Sequence, residues 1–454
     1  MKRIFALILA VVICLSFTSC ESVLLSVDKL IRPPELSGTD KMLQEAFKNS
    51  VSEYDSFVLK FPINGKYKSS YILYDIDNNG SDEAIILYSI PSLGNNVIAE
   101  IFKYNEDNWI SVSKIITYSN HIDELDFADI NGDGCNEVFI SWSDTHNDNE
   151  YLDVTLKLNS SHSLKIYSYD GEEINIVGEE VYSNLFIKDL NNDKVSEVVL
   201  FNNNISNIEN MTSMRILSYN RDFTVNYDKT TVISDMLDII NIVSDRTVNG
   251  RNSYSRIFVD GSVNESDVVT EIIEINEDNF NVTLPLYADN LRATPSTLRN
   301  SIALCMDIGE DGSVEIPSID ALPFSEKITN GKSSPLSYAI WSEFKDNQIK
   351  VKYKTLIDLK VGYVAFIPEE YIGTVAVKYD EDNLNYTFYS IDSRGNVENA
   401  LFSFRIFTLP QWEENSFNYE ILYKNDTYVY AFLIFKADNY DTYKQYISDY
   451  FFVL

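Results

Sequence analysis

Four nine-residue segments of the chain share one register: "DIDNNGSDE" at 75–83, "DINGDGCNE" at 129–137, "DLNNDKVSE" at 189–197 and "DIGEDGSVE" at 307–315. Each opens on Asp, carries Asn or Asp at its fifth position and closes on Glu at its ninth. Three have Asp or Asn at the third position, and three have Gly at the sixth. They start 54, 60 and 118 residues apart, and the last interval is twice 59, which places one more unit near residue 248 whose loop has decayed. A fixed period of about 58 residues constrains the fold strongly, because such a unit buries its apolar face only by stacking on its neighbours.

The flanks of the loops are strands. "SSYILY" and "AIILYSI" enclose the first, "ELDFA" and "EVFISW" the second, and "EVVLF" follows the third; all are short, β-branched or aromatic, and bounded by turn residues. An EF-hand would instead need flanking helices and a bidentate Glu at position 12, where this chain has Ile86, Ile140, Leu200 and Ser318. The loops therefore join two β-strands, and their spacing suits Ca2+. That ion takes six to eight hard oxygens at about 2.3–2.6 Å. Side chains at positions 1, 3 and 5 converge on one side, position 7 can offer a carbonyl, and Glu at 9 closes the shell. Gly at 6 permits the positive φ of a tight turn. An Asx turn held by its own hydrogen bonds is the metal-free alternative for a single loop, but recurrence in register favours the ion.

The expected ligands are Asp75, Asp77, Asn79 and Glu83; Asp129, Asn131, Asp133 and Glu137; Asp189, Asn191, Asp193 and Glu197; and Asp307, Asp311 and Glu315. The loops are unequal. Lys194 stands where Gly belongs in the third, and Gly309 removes the position-3 ligand from the fourth, so occupancy is expected to fall from the first two loops to the last.

A D-x-[DN]-x-[DN]-G-x-x-[DE] loop between strands, repeated every 55–60 residues, resembles the FG-GAP/VCBS repeats of integrin-α-type β-propellers. The resemblance implies four-stranded blades with calcium bound between the first two strands of each. The order "RPPELSG", a short helix, "LKFP", the first loop and later "DIGEDGSVEIP" is similar to a group of bacterial VCBS-repeat lipoproteins over roughly residues 32–365. Propellers host unrelated activities, so the likeness speaks for fold more than function.

The expected fold is mainly β: a β-propeller of about five blades at 56–115, 116–178, 179–238, 239–298 and 299–365, preceded by an N-terminal helix within 39–55. Thr39 or Asp40 caps that helix, with Met42, Leu43, Ala46 and Phe47 on one face. From residue 366 the period stops, and 366–454 reads as a small antiparallel α+β domain whose last segment, "DNYDTYKQYISDYF", is helical.

The chain opens "MKRIFALILAVVICLSFTSC", with a basic start, an apolar run from Ile4 to Leu15 and small residues before Cys20. This is a signal peptide over 1–19, since a bilayer-spanning helix needs about 20 apolar residues. "FTSC" resembles a bacterial lipobox, with Phe17 where Leu is usual; the resemblance implies that Cys20 carries a lipid and that 20–38 is a tether. The expected location is the extracytoplasmic face of the cell membrane, and a monomer is expected. Loss of Lys2 and Arg3 takes the net charge from −33 to −35. A surface so acidic repels nucleic acid and anionic lipid, which excludes those partners, and attracts divalent cations. Cys135 and Cys305 remain as the only mature cysteines besides Cys20, and one disulfide between them is possible.

No motif of catalysis stands out. Only His121, His146 and His162 occur, "SVSK" (Ser111–Lys114) matches S-x-x-K by chance between apolar strands, and Trp109, Trp142, Trp341 and Trp412 read as core rather than as a sugar-stacking platform. Two functions stay open: a non-enzymatic surface protein that binds a surface protein or glycan, and a glycan-acting hydrolase with its acids in the propeller funnel. Sixty-nine acidic residues hide any catalytic pair.

Overall fold

The computed structural model describes residues 39–105, 107–143, 162–169, 171, 173–205, 210–234, 236–286, 295–299, 303–358, 360–415, 418–435 and 440–453. The segments read as signal peptide and tether, Cys20 among them, and His146 lie outside the described residues. The described chain is mainly β. The described residues form two compact units, the first from 39–60, 70–74 and 81–118, the second from 61–69, 75–80 and the described residues from 119 on.

In the first unit, helix α1 (Thr39–Ser50) lies with strands β1 (Val58–Leu59), β2 (Tyr71–Tyr74), β3 (Glu83–Ser89), β4 (Val97–Asn105) and β5 (Asn108–Ile116). Leu43 and Phe47, four apart on one helix face, are buried together with Val51 against Ala84, Ile86, Tyr88, Ile98 and Phe102. Phe47 is the anchor: its ring meets Tyr88 edge-on at 5.0 Å and Phe57 at 5.0 Å. Every residue of β3 is buried, which is why "EAIILYS" reads as an unbroken apolar run rather than an alternating one.

The second unit begins with three four-stranded antiparallel sheets in simple sequence order. These are β6 (Glu124–Ala128), β7 (Glu137–Ser143), β8 (His162–Tyr169) and β9 (Ile174–Tyr182); β10 (Asn184–Lys188), β11 (Glu197–Ile205), β12 (Asn210–Tyr219) and β13 (Val225–Ser234); and β14 (Asp238–Asn249), β15 (Asn252–Ser262), β16 (Val268–Asn276) and β17 (Val282–Thr283). The period-2 geometry of the second strands explains how the sheets stack. On β11, Val198 and Leu200 join an apolar cluster with Phe139, Leu164 and Ile166 of the preceding sheet. Val199 and Phe201 point the other way, into a cluster with Ile257, Val259 and Ile273 of the following one. Phe258, between Ile257 and Val259 on β15, packs on Cys305, Val314, Ile316 and Phe344. Each such strand is therefore buried on both faces, and its sequence has no polar alternation to offer.

The third of these sheets has no Asp-rich loop. A tight turn at Gly250 and Arg251 joins β14 and β15 instead, where the repeat period placed a decayed loop near residue 248.

The remaining strands form one ten-stranded sheet, in the order β25-β26-β24-β23-β22-β18-β19-β20-β21-β27. Its first members are β18 (Glu315–Thr329), β19 (Lys332–Lys345), β20 (Gln348–Asp358) and β21 (Tyr363–Phe366); then come β22 (Val375–Asp380), β23 (Asn385–Ile391), β24 (Val397–Thr408), helix α2 (Leu409–Asn415), β25 (Glu420–Lys424), β26 (Tyr428–Ile434), helix α3 (Tyr440–Tyr450) and β27 (Phe451–Val453). Strands on both sides of residue 366 share this sheet. The far half of β18 pairs in parallel with β22, and β21 pairs with β27. The sheet curls, so that Tyr363 on β21 meets Tyr386 on β23 and Phe404 on β24 within one aromatic core. Helix α3 closes that core with Tyr443 and Ile447. No described helix is long and apolar enough to cross a membrane.

Candidate metal loops

Each Asp-rich segment is the turn before a buried strand, and its first Asp organises it. In all four, one carboxylate oxygen of position 1 accepts the backbone N–H of position 6: Gly80 to Asp75 at 2.9 Å, Gly134 to Asp129 at 3.0 Å, Lys194 to Asp189 at 3.0 Å and Gly312 to Asp307 at 2.8 Å. The other oxygen takes an N–H from position 4 or 5. Position 6 has positive φ in every loop, at +75° for Lys194, so the lysine sits in the strained turn that its sequence position implied. Position 4 also has positive φ, at Asn78, Gly132, Asn192 and Glu310. Asn or Gly at position 4 in three of the four loops is the sequence signal of this second left-handed residue.

Positions 3 and 5 complete the frame. Asn131 Nδ2 donates to Asp133 Oδ2 at 3.0 Å and Asn191 Nδ2 to Asp193 Oδ2 at 2.8 Å, while the Asp at 5 accepts the N–H of position 7 in the second, third and fourth loops.

The Glu at position 9 is the least ordinary residue of the set. Glu83, Glu137, Glu197 and Glu315 are all buried, although each begins a strand beside solvent-facing turn residues. In the last three, one oxygen accepts the N–H of position 2. Burial first, and then the nearby Asp charges, push the carboxyls of Glu137 and Glu197 up to about 8. The second oxygen of Glu137 is buried with no hydrogen-bond partner, and no cation of the described residues pairs with Asp129, Asp133 or Glu137. The equivalent oxygen of Glu315 lies 2.8 Å from the ammonium of Lys352, which also stands 2.5 Å from Asp311 Oδ2. One repeat position thus carries an orphaned oxygen in one loop and a cation in another. Hard oxygen donors around a buried, uncompensated carboxylate are a donor set that fits Ca2+.

Successive loops touch. The N–H of position 8 in the second loop, Asn136, donates to Ile76 O of the first at 2.7 Å, and its counterpart Ser196 in the third donates to Asp129 O of the second at 2.8 Å. Ser255 of the loopless sheet reaches back to Leu190 O, and Arg246 of that sheet to Asp189 O. In that sheet the buried Arg256 guanidinium grips Asp245 at 2.5 and 2.6 Å, and Asp245 in turn accepts the N–H of Val314, position 8 of the last loop.

The other candidates resolve into structure. Cys135 and Cys305 are both free thiols, so the possible disulfide between them is not formed; they sit at a loop tip and in a buried core respectively. Trp341 and Trp142 are buried, Trp109 packs on Tyr104 and Trp412 on Phe407, so the four indoles form no platform. Ser111 donates to the buried carboxylate of Glu100 at 2.5 Å, and Lys114 lies 3.4 Å from it, so that S-x-x-K match serves a buried acid also held by Tyr88. His121 is exposed, and His162 stacks on Tyr182 near Asp123. One acidic group outside the loops stands out: on the edge strand β6, burial and then Asp126 and Asp123 raise the Glu124 carboxyl to about 7.

No protein-family model matches the chain, and no curated protein sequence matches it. Among solved structures the chain is similar to a GH43 β-1,3-galactosidase, at 10% identity over 80% of this chain and 75% of that one, with a TM-score of 0.25. It is also similar to a mutant B. megaterium levansucrase, at 12% identity over 69% of this chain and 92% of that one, with a TM-score of 0.21. Superpositions that loose say nothing about what this chain binds or cleaves.

Proposed function

We propose that this protein is a calcium-braced β-propeller of about five blades, FG-GAP/VCBS-like in its repeats, that is held at the extracytoplasmic face of the membrane by a lipid on Cys20 and binds a surface protein or glycan without catalysis. The observation that carries the reading is the repeated loop, with an Asp at its head already ordered by backbone amides and a buried Glu at its tail. Asp75, Asp77, Asn79 and Glu83, and Asp129, Asn131, Asp133 and Glu137, would hold Ca2+; bound there, the ion neutralises carboxylates that otherwise repel. Its task is to fix the loops, and extracytoplasmic modules can use sites as weak as about 10⁻⁴–10⁻³ M.

The test is an array of glycans and surface proteins probed with the mature chain in calcium and in EDTA. Capture that depends on calcium is the expected result. Capture equal in both buffers, or none, would contradict it. A hydrolase reading draws on Glu124, a half-buried acid able to donate a proton near neutral pH beside two further carboxyls. Cleavage of an arrayed glycan, abolished by Glu124→Gln, would favour that reading instead.

Anchoring has its own outcome. Cys20→Ala should leave the protein in the medium or as uncleaved precursor; unchanged partitioning into the detergent phase would rule out the lipid.

A further inference from the structure

We propose that Lys352 supplies, from within the chain, the positive charge that a divalent cation would supply in the loops at 75 and 129, so that the loop at 307 folds without metal. The inference rests on the calcium reading for its comparison loops, but its geometry stands by itself. Lys352 comes from β20, two strands away from the loop in the sheet, and is only 19% exposed. Its ammonium reaches Asp311 of position 5 at 2.5 Å and Glu315 of position 9 at 2.8 Å, with Glu343 at 4.0 Å. Those are two of the three side chains expected as metal ligands in this loop.

The space for a position-3 ligand is also taken. A Cβ at Gly309 would lie 2.6 Å from the Tyr353 hydroxyl and 2.7 Å from its ring. That hydroxyl stands 3.4 Å from Asp311 Oδ2. Consecutive residues of one strand, Lys352 and Tyr353, thus fill the charge and the volume that an ion and its third ligand would fill elsewhere. A metal could enter only by expelling an ammonium that already makes two charge-assisted hydrogen bonds.

The balance of charge along the run of loops fits the same account. No described cation pairs with Asp129, Asp133 or Glu137, whereas Arg246 flanks Asp189 and Arg256 clamps Asp245 in the sheet without a loop.

Hydrogen exchange on the full mature chain, read peptide by peptide, separates the loops. In EDTA, amides of 129–137 should exchange about tenfold faster than in calcium, while those of 307–315 should change less than about twofold. Lys352→Met should speed 307–315 by about tenfold in both buffers, through loss of charged hydrogen bonds to a buried carboxylate, whereas Lys350→Met, which removes only the exposed pair with Asp346, should not. If 307–315 in the wild type responds to EDTA as 129–137 does, or if Lys352→Met leaves it protected, the inference is wrong. The wild-type comparison needs no variant to fold. If 129–137 ignores EDTA while Lys352→Met still opens 307–315, the calcium reading falls and the lysine assignment stands.

Discussion

Replacing Arg299 with Met should destabilise the protein by about 3–5 kcal/mol, the usual cost of leaving one member of a buried ion pair alone. Arg299 is 3% exposed at its side chain and Asp260 0%. The guanidinium donates to Asp260 Oδ1 at 2.7 Å, to the Thr270 hydroxyl at 2.8 Å, and to the carbonyls of Thr297 and Ala303, each at 3.2 Å. Asp260 further accepts the Thr270 hydroxyl, Asn241 Nδ2, and the amide of Cys305 at 2.6 Å. Burial pushes its carboxyl up, but Arg299 and these donors outweigh it and hold the carboxyl below the usual range. A depressed native pKa stabilises above the unfolded value of about 3.9 and loses that contribution as the pH falls further. Wild type should therefore weaken on acidification below about pH 4 through this group, and Arg299→Met should already be weak at neutral pH. Urea denaturation of Arg299→Met, Asp260→Leu and the double variant measures it: the double should cost less than the two singles added. Additive losses would mean that the pair is not coupled.

Asp129→Ala should cost about 3 kcal/mol in calcium, made of about 1.4 kcal/mol for a site held at tenfold its Kd and the remainder for lost amide acceptors. Three backbone N–H groups, of Asn131, Gly132 and Gly134, converge on this one carboxylate. Asp307→Ala should cost less, because that carboxylate takes two amides, from Asp311 and Gly312, and its loop keeps the Lys352 cation. In EDTA the gap between the two variants should narrow. Equal losses in calcium would contradict both the site ranking and the lysine assignment.

The parts of this fold that were legible in the sequence are those fixed by local chemistry. The loop registers follow from Asp at 1, which accepts the N–H of position 6 in all four loops, and from Gly at 6 in three of them. The strands after them are readable because burial on both faces leaves apolar runs, "VFI" at 138–140 and "VVLF" at 198–201, with no polar alternation. The decayed unit was legible by period alone. Its Asp245–Arg256 pair was hidden, although a turn at Gly250 and Arg251 sets those two residues directly opposite one another. What could not be read depends on pairing across distance. Lys352 follows Glu315 by two strand crossings, and no spacing rule connects a loop to a lysine of a strand it does not adjoin in sequence. The parallel pairing of β18 with β22 is of the same kind: a bulge between Ala321 and Glu326 turns the far half of one long strand toward a new partner. Nothing in "YEILY" or "TYVYAFLIF" announces which sheet they will join.

Thermal melting of the wild-type mature chain in calcium and in EDTA tests the central claim most directly. Two well-formed sites, each contributing about 1.4 kcal/mol at tenfold over Kd, together contribute about 3 kcal/mol. That is a sizeable share of a domain's typical 5–15 kcal/mol. Removing calcium should lower the melting temperature by on the order of 5 °C, and readdition should restore it. Identical melting in the two buffers would mean that the four loops are Asx turns held by their own hydrogen bonds, and that calcium has no part in this protein.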